Sequence, residues 1–255
     1  MTPQARQWRR AGEIDPVRFA RVQGGRVDGV IATDVECDLF DGLCKDPDVL
    51  LRRGEVLKDD RAATVVVLPT GAGEVVLKRF RYPDQMRAAR RALRPSRARM
   101  AFVAALRLRA FGIAVPEPMA FLERRRLGVG VASWLLARRA PGGDAGAVLA
   151  DAAASDAQRL RVVDALVSVV ARLQSGRIVH GDLKATNFLI DVAALDDASA
   201  NPVELLDLHA VSRAGTFGAS GLRRDQRRFL RNFDPWPELQ RRASEMLAQG
   251  RLRQA

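Results

Sequence analysis

The amino-acid sequence predicts an α+β fold in two lobes, a small antiparallel-sheet half followed by a mainly helical half. Between about Val56 and Leu136, short β-branched runs are separated by turn residues. After Pro141-Gly142-Gly143 the apolar spacing changes to a helical period. The chain's 255 residues, 47% hydrophobic and 28% charged, suit between one and two domains at roughly 150 residues each. The reading divides into an extension over 1–45, a sheet-rich lobe over 46–138 and a helical lobe over 139–255.

In chain order, residues 1–45 mix Arg, Gly and Asp with scattered apolar residues and show no defined element. Gly54–Lys58 is expected to be a first strand. Thr64–Leu68 and Glu74–Phe80 flank Pro69-Thr70-Gly71-Ala72-Gly73, a strand-turn-strand pattern. Val115–Glu123 and Val129–Leu136 repeat it around the basic turn Arg124–Gly128. Between the two pairs, Ser96 can cap a helix over Ser96–Ala110, with Phe102, Leu106 and Ala110 recurring on one face. The result is a five-stranded sheet carrying one helix. In the second half, Asp156–Ser175 sets Leu160, Val163, Leu166, Val167, Val170 and Leu173 on one face and stops at Gly176. Two further helices are expected at about 222–232 and 237–249.

A formal charge of +12, from 42 Lys+Arg against 30 Asp+Glu, implies attraction to polyanions. Cys37 and Cys44 lack metal-ligand spacing and cannot form a disulfide framework, which suits a reducing compartment. The first twenty residues hold no apolar signal core, and no stretch reaches the roughly 18 apolar residues of a membrane span. The expected location is the cytoplasm, including a peripheral place at the inner membrane face. No repeat recurs along the chain, which excludes solenoids and propellers.

The chemistry concentrates in Ile178–Ile190, where Asp182 and Asn187 stand five residues apart between apolar anchors. Downstream, Val203-Glu204-Leu205-Leu206-Asp207-Leu208-His209 delivers a second acid from the end of an apolar strand. Phosphoryl transfer from ATP needs this set: a carboxylate to take the proton of the attacking hydroxyl, and oxygen ligands for Mg²⁺. A lysine must also reach the nucleotide phosphates, and Lys78 in Val75-Val76-Leu77-Lys78 occupies the expected strand.

These residues resemble the protein kinase-like superfamily. His180-Gly181-Asp182-Leu183-Lys184-Ala185-Thr186-Asn187 matches its catalytic loop, with Gly for the usual Arg, and Asp207-Leu208-His209 stands in place of Asp-Phe-Gly. Asp-Leu-His, the later Arg224-Asp225…Arg228-Phe229-Leu230 and the phrase Phe111–Pro118 are more similar to the lipopolysaccharide kinase family, whose members phosphorylate heptose or Kdo sugars of the inner core. The resemblance runs over roughly residues 50–235. It implies ATP and Mg²⁺ as cofactors and a core sugar as acceptor, with Asp182 as catalytic base and Lys184 neutralising the transferring group. It further implies Lys78 on the α/β-phosphates and Asn187 and Asp207 on the metal. His180 is expected to brace the loop, and His209 to brace the metal loop or touch substrate.

The chain departs from the kinase pattern in two places. From Arg79 to Pro116 there are at least ten basic positions and a single acid, Asp84; where the helix glutamate that pairs with the strand lysine belongs, Ala101 stands. The turn Lys58–Ala63, equivalent to the phosphate-covering loop, has no glycine. The missing glutamate leaves an ATP-binding pseudokinase acting as a binding module as one alternative; His180-Gly181-Asp182 also looks like the loop of antibiotic phosphotransferases, so an antibiotic-type small-molecule phosphotransferase is the other. Asp191–Pro202 reads as a polar hairpin or loop extension, and the absence of an Ala-Pro-Glu segment after Asp207 argues against a protein substrate.

Arginine dominates Arg87–Arg99 and Arg223–Arg231. Each segment reads either as a solvated helix face or as a docking surface for anionic headgroups and core-sugar phosphates. Nucleic acid is not expected as a partner, because no aromatic residues interleave the basic runs. Trp134 is assigned to packing, with an adenine contact as the alternative.

Overall fold

Alternating apolar residues build the sheet of the first unit. Along β5 (Gly73–Phe80), Val75 and Leu77 are buried while Val76 and Lys78 are half-buried, the period of two that a strand imposes. β5 pairs with β4 (Ala63–Thr70) in a register that runs from Ala63↔Phe80 to Thr70↔Gly73. The expected five-residue turn thus shrinks to Gly71-Ala72, followed by Gly73 at φ +113°. The computed structural model describes residues 3–23, 26–81, 95–126, 129–197, 200–215 and 219–252. They belong to two compact units, Met1–Arg107 with Pro116–Arg139 and Leu108–Val115 with Ala140–Ala255.

The sheet of the first unit is larger than expected. To β3 (Glu55–Asp59), β4, β5, β6 (Pro118–Arg126) and β7 (Val129–Arg138) the chain adds β1 (Phe19–Val22) and β2 (Asp28–Ala32). The antiparallel order is β1-β2-β6-β7-β5-β4-β3. The described residues of the 1–45 span thereby contribute to the sheet and its core: Phe19, Val30, Ile31, Leu39 and Leu43 are buried, and Phe19 meets Phe102 edge-on at 5.1 Å. Three helices, α1 (Pro3–Arg10), α2 (Cys37–Lys45) and α3 (Pro47–Arg53), accompany these strands. Glu36, just before α2, accepts a hydrogen bond from the Ala72 amide at the β4–β5 turn.

α4 (Arg97–Ala110) begins as expected, with Ser96 Oγ accepting from the Arg99 amide at 3.0 Å. Its inner face differs from the expected one. Ala98, Ala101, Phe102, Ala104, Ala105 and Leu108 are buried, whereas Leu106 is half-buried and Ala110 exposed. Small alanines let the helix sit close to its neighbours, so the face is built from residues too small to dominate an apolar pattern. Trp134 is packed, 1% exposed, with its indole N–H donating to Asp48 at 3.0 Å and the Arg124 guanidinium 4.8 Å over its ring. The adenine alternative falls, because the indole's donor and one face are already engaged within the first unit.

In the second unit α6 (Asp156–Ser175) matches its expected bounds, capped by Ser155 on the Gln158 amide. Val162, Val163, Leu166, Val167, Val170 and Leu173 are buried, while Leu160 is half-buried. The left-handed residue that ends the helix is Arg177, φ +53°, and Gly176 keeps a right-handed backbone. Arg177 holds that conformation because its carbonyl accepts from the Ala214 amide and its guanidinium donates to the Gly215 carbonyl. β10 (Phe188–Ile190) pairs antiparallel with β11 (Val203–Leu205) and with β8 (Gly143–Asp144), so Asp191–Pro202 does connect a hairpin. After α5 (Ala145–Ala150) and α6, the chain ends in α7 (Ala219–Leu230) and α8 (Pro237–Leu252).

Candidate active site

The loop from β9 (Ile178–Val179) to β10 is shaped by residues far along the chain. Gly181 has φ +95°, and a Cβ there would meet Ala210 Cβ at 3.0 Å, which explains glycine where protein kinases carry arginine. Asp225, on α7 and 4% exposed, accepts from the His180 amide at 2.6 Å and from the Gly181 amide at 3.0 Å. Burial pushes its carboxyl up, against the two amides, His180 and Arg224. Asn232 clamps the other side: its Nδ2 donates to the Leu183 carbonyl and its Oδ1 accepts from the Ala185 amide, both at 2.9 Å.

Within this frame three sequence-predicted residues meet. Asn187 Nδ2 donates to the Asp182 carbonyl at 2.8 Å and to Asp182 Oδ2 at 3.3 Å. Lys184 Nζ lies 3.5 Å from Asp182 Oδ2. Arg228, from α7, donates through Nε to Asp182 Oδ1 at 3.2 Å. The Asp182 carboxylate is therefore oriented through both oxygens. Phe229, fully buried against Phe188 and Phe233, anchors α7 so that its neighbour Arg228 reaches this carboxylate.

Asp207 follows β11 in a left-handed conformation, φ 59° and ψ 51°, and its Oδ1 contacts His209 Nδ1 at 3.0 Å. The peptide ahead of it ties this turn to the loop: the Leu206 amide donates to the Asn187 carbonyl at 2.8 Å, and the Leu206 carbonyl lies 2.9 Å from His180 Nε2. The bonding gives His180 Nε2 the proton, leaving Nδ1 to accept from the Asp182 amide at 3.4 Å. His209 thus touches the carboxylate of the second acid, and His180 is a brace.

Burial pushes the His180 imidazole below its ordinary 6.5, against the pull of the Leu206 carbonyl and of Asp225, Asp207 and Asp182. The unfolded chain takes up this proton near pH 6.5 and the folded chain does not, so stability is lost as pH falls below 6.5 toward the folded value. The urea midpoint is expected to drop between about pH 7.5 and about pH 5.5, with a smaller drop in His180→Gln. An equal drop in both proteins would assign the acid sensitivity elsewhere.

In the first unit, Lys78 stands opposite Val65 on β4 and Leu135 on β7, its ammonium 4.9 Å from the Phe80 ring centroid. Arg97, at the start of α4, lies 5.5 Å over the same ring. α4 carries no acid, and Ala101 is buried; Asp84, the acid considered as a substitute, falls outside the described residues. The glycine-free turn closes on its own carboxylate, for Asp60 Oδ1 accepts from the Ala62 amide at 2.7 Å and the Ala63 amide at 2.9 Å. Lys58, 2.9 Å from Oδ2, and these amides hold Asp60 at about 2.

The model of the lipopolysaccharide kinase (Kdo/WaaP) family matches residues 84–248. The chain belongs to this family. It is a kinase, an ATP-dependent phosphotransferase with the α+β kinase-like fold. The matched span holds Asp182, Lys184, Asn187 and Asp207, with Asp225, Arg228 and Asn232 behind them, while Lys78 lies ahead of it. No curated protein matches the kinase. A solved structure described as WaaP in complex with acyl carrier protein is similar over 85% of this chain and 93% of that one, at 19% identity and a TM-score of 0.49.

Sequence reasoning missed Arg228 and Asn232 as parts of the site. Arg228 was absorbed into a basic run, and Asn232 carries no motif at all; only the Arg224-Asp225…Arg228 phrase signalled that this helix matters.

Proposed function

We propose that this kinase transfers the γ-phosphoryl group of ATP, with Mg²⁺, to a heptose or Kdo hydroxyl of the lipopolysaccharide inner core. The observation that carries the proposal is the Asp182 carboxylate, oriented by Arg228, Asn187 and Lys184 in a chain of lipopolysaccharide kinase type. Asp182 accepts the proton of the sugar hydroxyl, and Lys184, on its other oxygen, offsets charge on the phosphoryl group in flight. Lys78 binds the α/β-phosphates.

Asn187 and Asp207 hold Mg²⁺. Asn187 directs its N–H groups at Asp182, and its amide oxygen carries no hydrogen bond among the described residues. Two protein oxygens suit Mg²⁺, which takes its other ligands from water and substrate phosphates; among the described residues no cluster of three or more His, Cys, Asp or Glu side chains offers a full cage. When bound, the ion neutralises phosphate charge during transfer.

No helix among the described residues is long and apolar enough to cross a membrane. In this reading the enzyme works in the cytoplasm, with peripheral contact to the anionic inner face where its acceptor is anchored. The test is transfer of radiolabelled γ-phosphate from ATP and Mg²⁺ to purified dephosphorylated core lipopolysaccharide, beside an Asp207→Ala control. Label on a core sugar that vanishes in the control is expected; no label on any core acceptor overturns the reading.

The Asp60 turn bears on nucleotide affinity. Its carboxylate occupies two amides that a glycine-rich loop would turn to phosphate, and adds a negative charge there. Asp60→Ala is expected to tighten ATP binding roughly three- to tenfold. Unchanged affinity by calorimetry would remove this turn from the nucleotide site.

A further inference from the structure

α7 carries more arginine than its contact with Asp182 uses. At 100° per residue, Arg227, Arg231, Arg224 and Arg228 follow one another around a single arc, next to the buried edge formed by Asp225 and Phe229. Arg228 ends that arc on the Asp182 carboxylate. The other three line a groove of about 770 Å³ whose far wall is the Pro237, Gln240, Arg241, Ser244 and Glu245 face of α8.

The pairing of charges separates this groove from an ordinary solvated face. Elsewhere in the second unit Arg242, Arg161 and Arg159 sit on Asp164, Asp196 and Asp156, and Arg172 and Arg177 donate to the Gly112 and Gly215 carbonyls. Among the described residues Arg224, Arg227, Arg231 and Arg241 form no ion pair, and Glu245 is the single acid in the lining. Four guanidinium groups against the single carboxylate of Glu245 leave an excess of positive charge around one cavity, which a bound anion would offset. Their planar forks match phosphate oxygens in pairs, which a lysine cluster would not do. Gln240 stiffens the wall by donating to the Leu230 carbonyl at 3.1 Å and to Asp234 at 2.7 Å.

We propose that this groove is an acceptor subsite that binds a phosphate group already present on the saccharide substrate, beside the hydroxyl presented to Asp182. The inference rests on the lipopolysaccharide kinase reading and specifies what its acceptor must carry. On α7, Arg224 and Arg227 of the groove lie four residues and one residue before Arg228, within about 6 Å of helix rise. The groove therefore adjoins, on the same helix, the arginine that orients the Asp182 carboxylate. The subsite selects phosphorylated acceptors and fixes their register on the enzyme.

The test reads binding without turnover, using the full chain with Asp182→Asn and no nucleotide. Titration calorimetry compares lipid-free core oligosaccharide carrying its phosphates with the same oligosaccharide after chemical dephosphorylation. The phosphorylated form is expected to bind at least tenfold tighter, and adding Arg224→Gln, Arg231→Gln and Arg241→Gln is expected to erase that preference. The matching Arg→Lys triple is expected to keep part of it, since charge remains without the fork. A preference that survives the Gln triple overturns the proposal. So does a Gln triple that keeps the saccharide preference but loses binding to phosphatidylglycerol vesicles, which would make the groove a membrane-docking face. Thermal midpoints confirm that these exposed substitutions leave the fold intact. If the preference follows the arginines while unmodified enzyme and ATP label no core acceptor, the groove stands and the proposed transfer to a core sugar fails.

Discussion

Asp182→Asn is expected to lower phosphoryl transfer about 10²–10⁴-fold while leaving the fold and nucleotide binding in place. Asparagine keeps the shape of the side chain and an oxygen for Arg228 Nε, now 3.2 Å from Oδ1. What it loses is the capacity to take a proton from the attacking hydroxyl. The loss should fall on kcat, with KM for ATP nearly unchanged, because proton transfer belongs to the transition state alone. Arg228→Ala should cost less, since Asn187 and Lys184 still hold the other carboxylate oxygen. Steady-state kinetics on the three proteins check the order. An Asp182→Asn enzyme that kept most of its rate would remove Asp182 from the role of base.

The legible parts of this protein are those written in short sequence windows. The β4–β5 hairpin, the Ser96 cap and α6 each depend on contacts within a few residues, and their patterns appear directly in the chain. The loop phrase is legible for a different reason, since its acid, lysine and amide lie within the six residues Asp182–Asn187. What holds that phrase in shape is not local. Asp225, Arg228 and Asn232 act across separations of 45, 46 and 49 residues, and no spacing rule connects them to His180, Asp182 or Leu183. β1 and β2 were hidden by their length. Strands of four and five residues, with the burial carried by Phe19, Val30 and Ile31, offer too few positions for a period of two to emerge.

Asp225 gives the largest expected effect on stability and shows how strongly the loop depends on that long-range contact. Asp225→Ala removes the acceptor of two backbone amides, a buried one at His180 and a partly buried one at Gly181. At roughly 1–3 kcal/mol for each orphaned donor, offset by relief of the buried carboxylate, the expected cost is about 2–4 kcal/mol. For a chain of this size that lowers the thermal midpoint by roughly 5–12 °C. Transfer should fall about 10²-fold as well, because the carboxylate of Asp182 is positioned by the backbone that Asp225 holds. Asp225→Asn keeps one acceptor oxygen and should lose less. The two variants also differ from the parent in pH response. Burial raises the Asp225 carboxyl above 3.8, so the folded chain binds its proton more tightly than the unfolded chain, and this residue's contribution falls as pH rises from 3.8 to the folded value. That slope runs opposite to the one set by His180, and Asp225→Asn should abolish it while the His180 slope persists and deepens, since Asp225 no longer pulls that imidazole up. Urea denaturation across that range, with transfer assays on the same preparations, separates the two terms; variants that matched the parent in midpoint, slope and rate would show that the loop is held by other contacts.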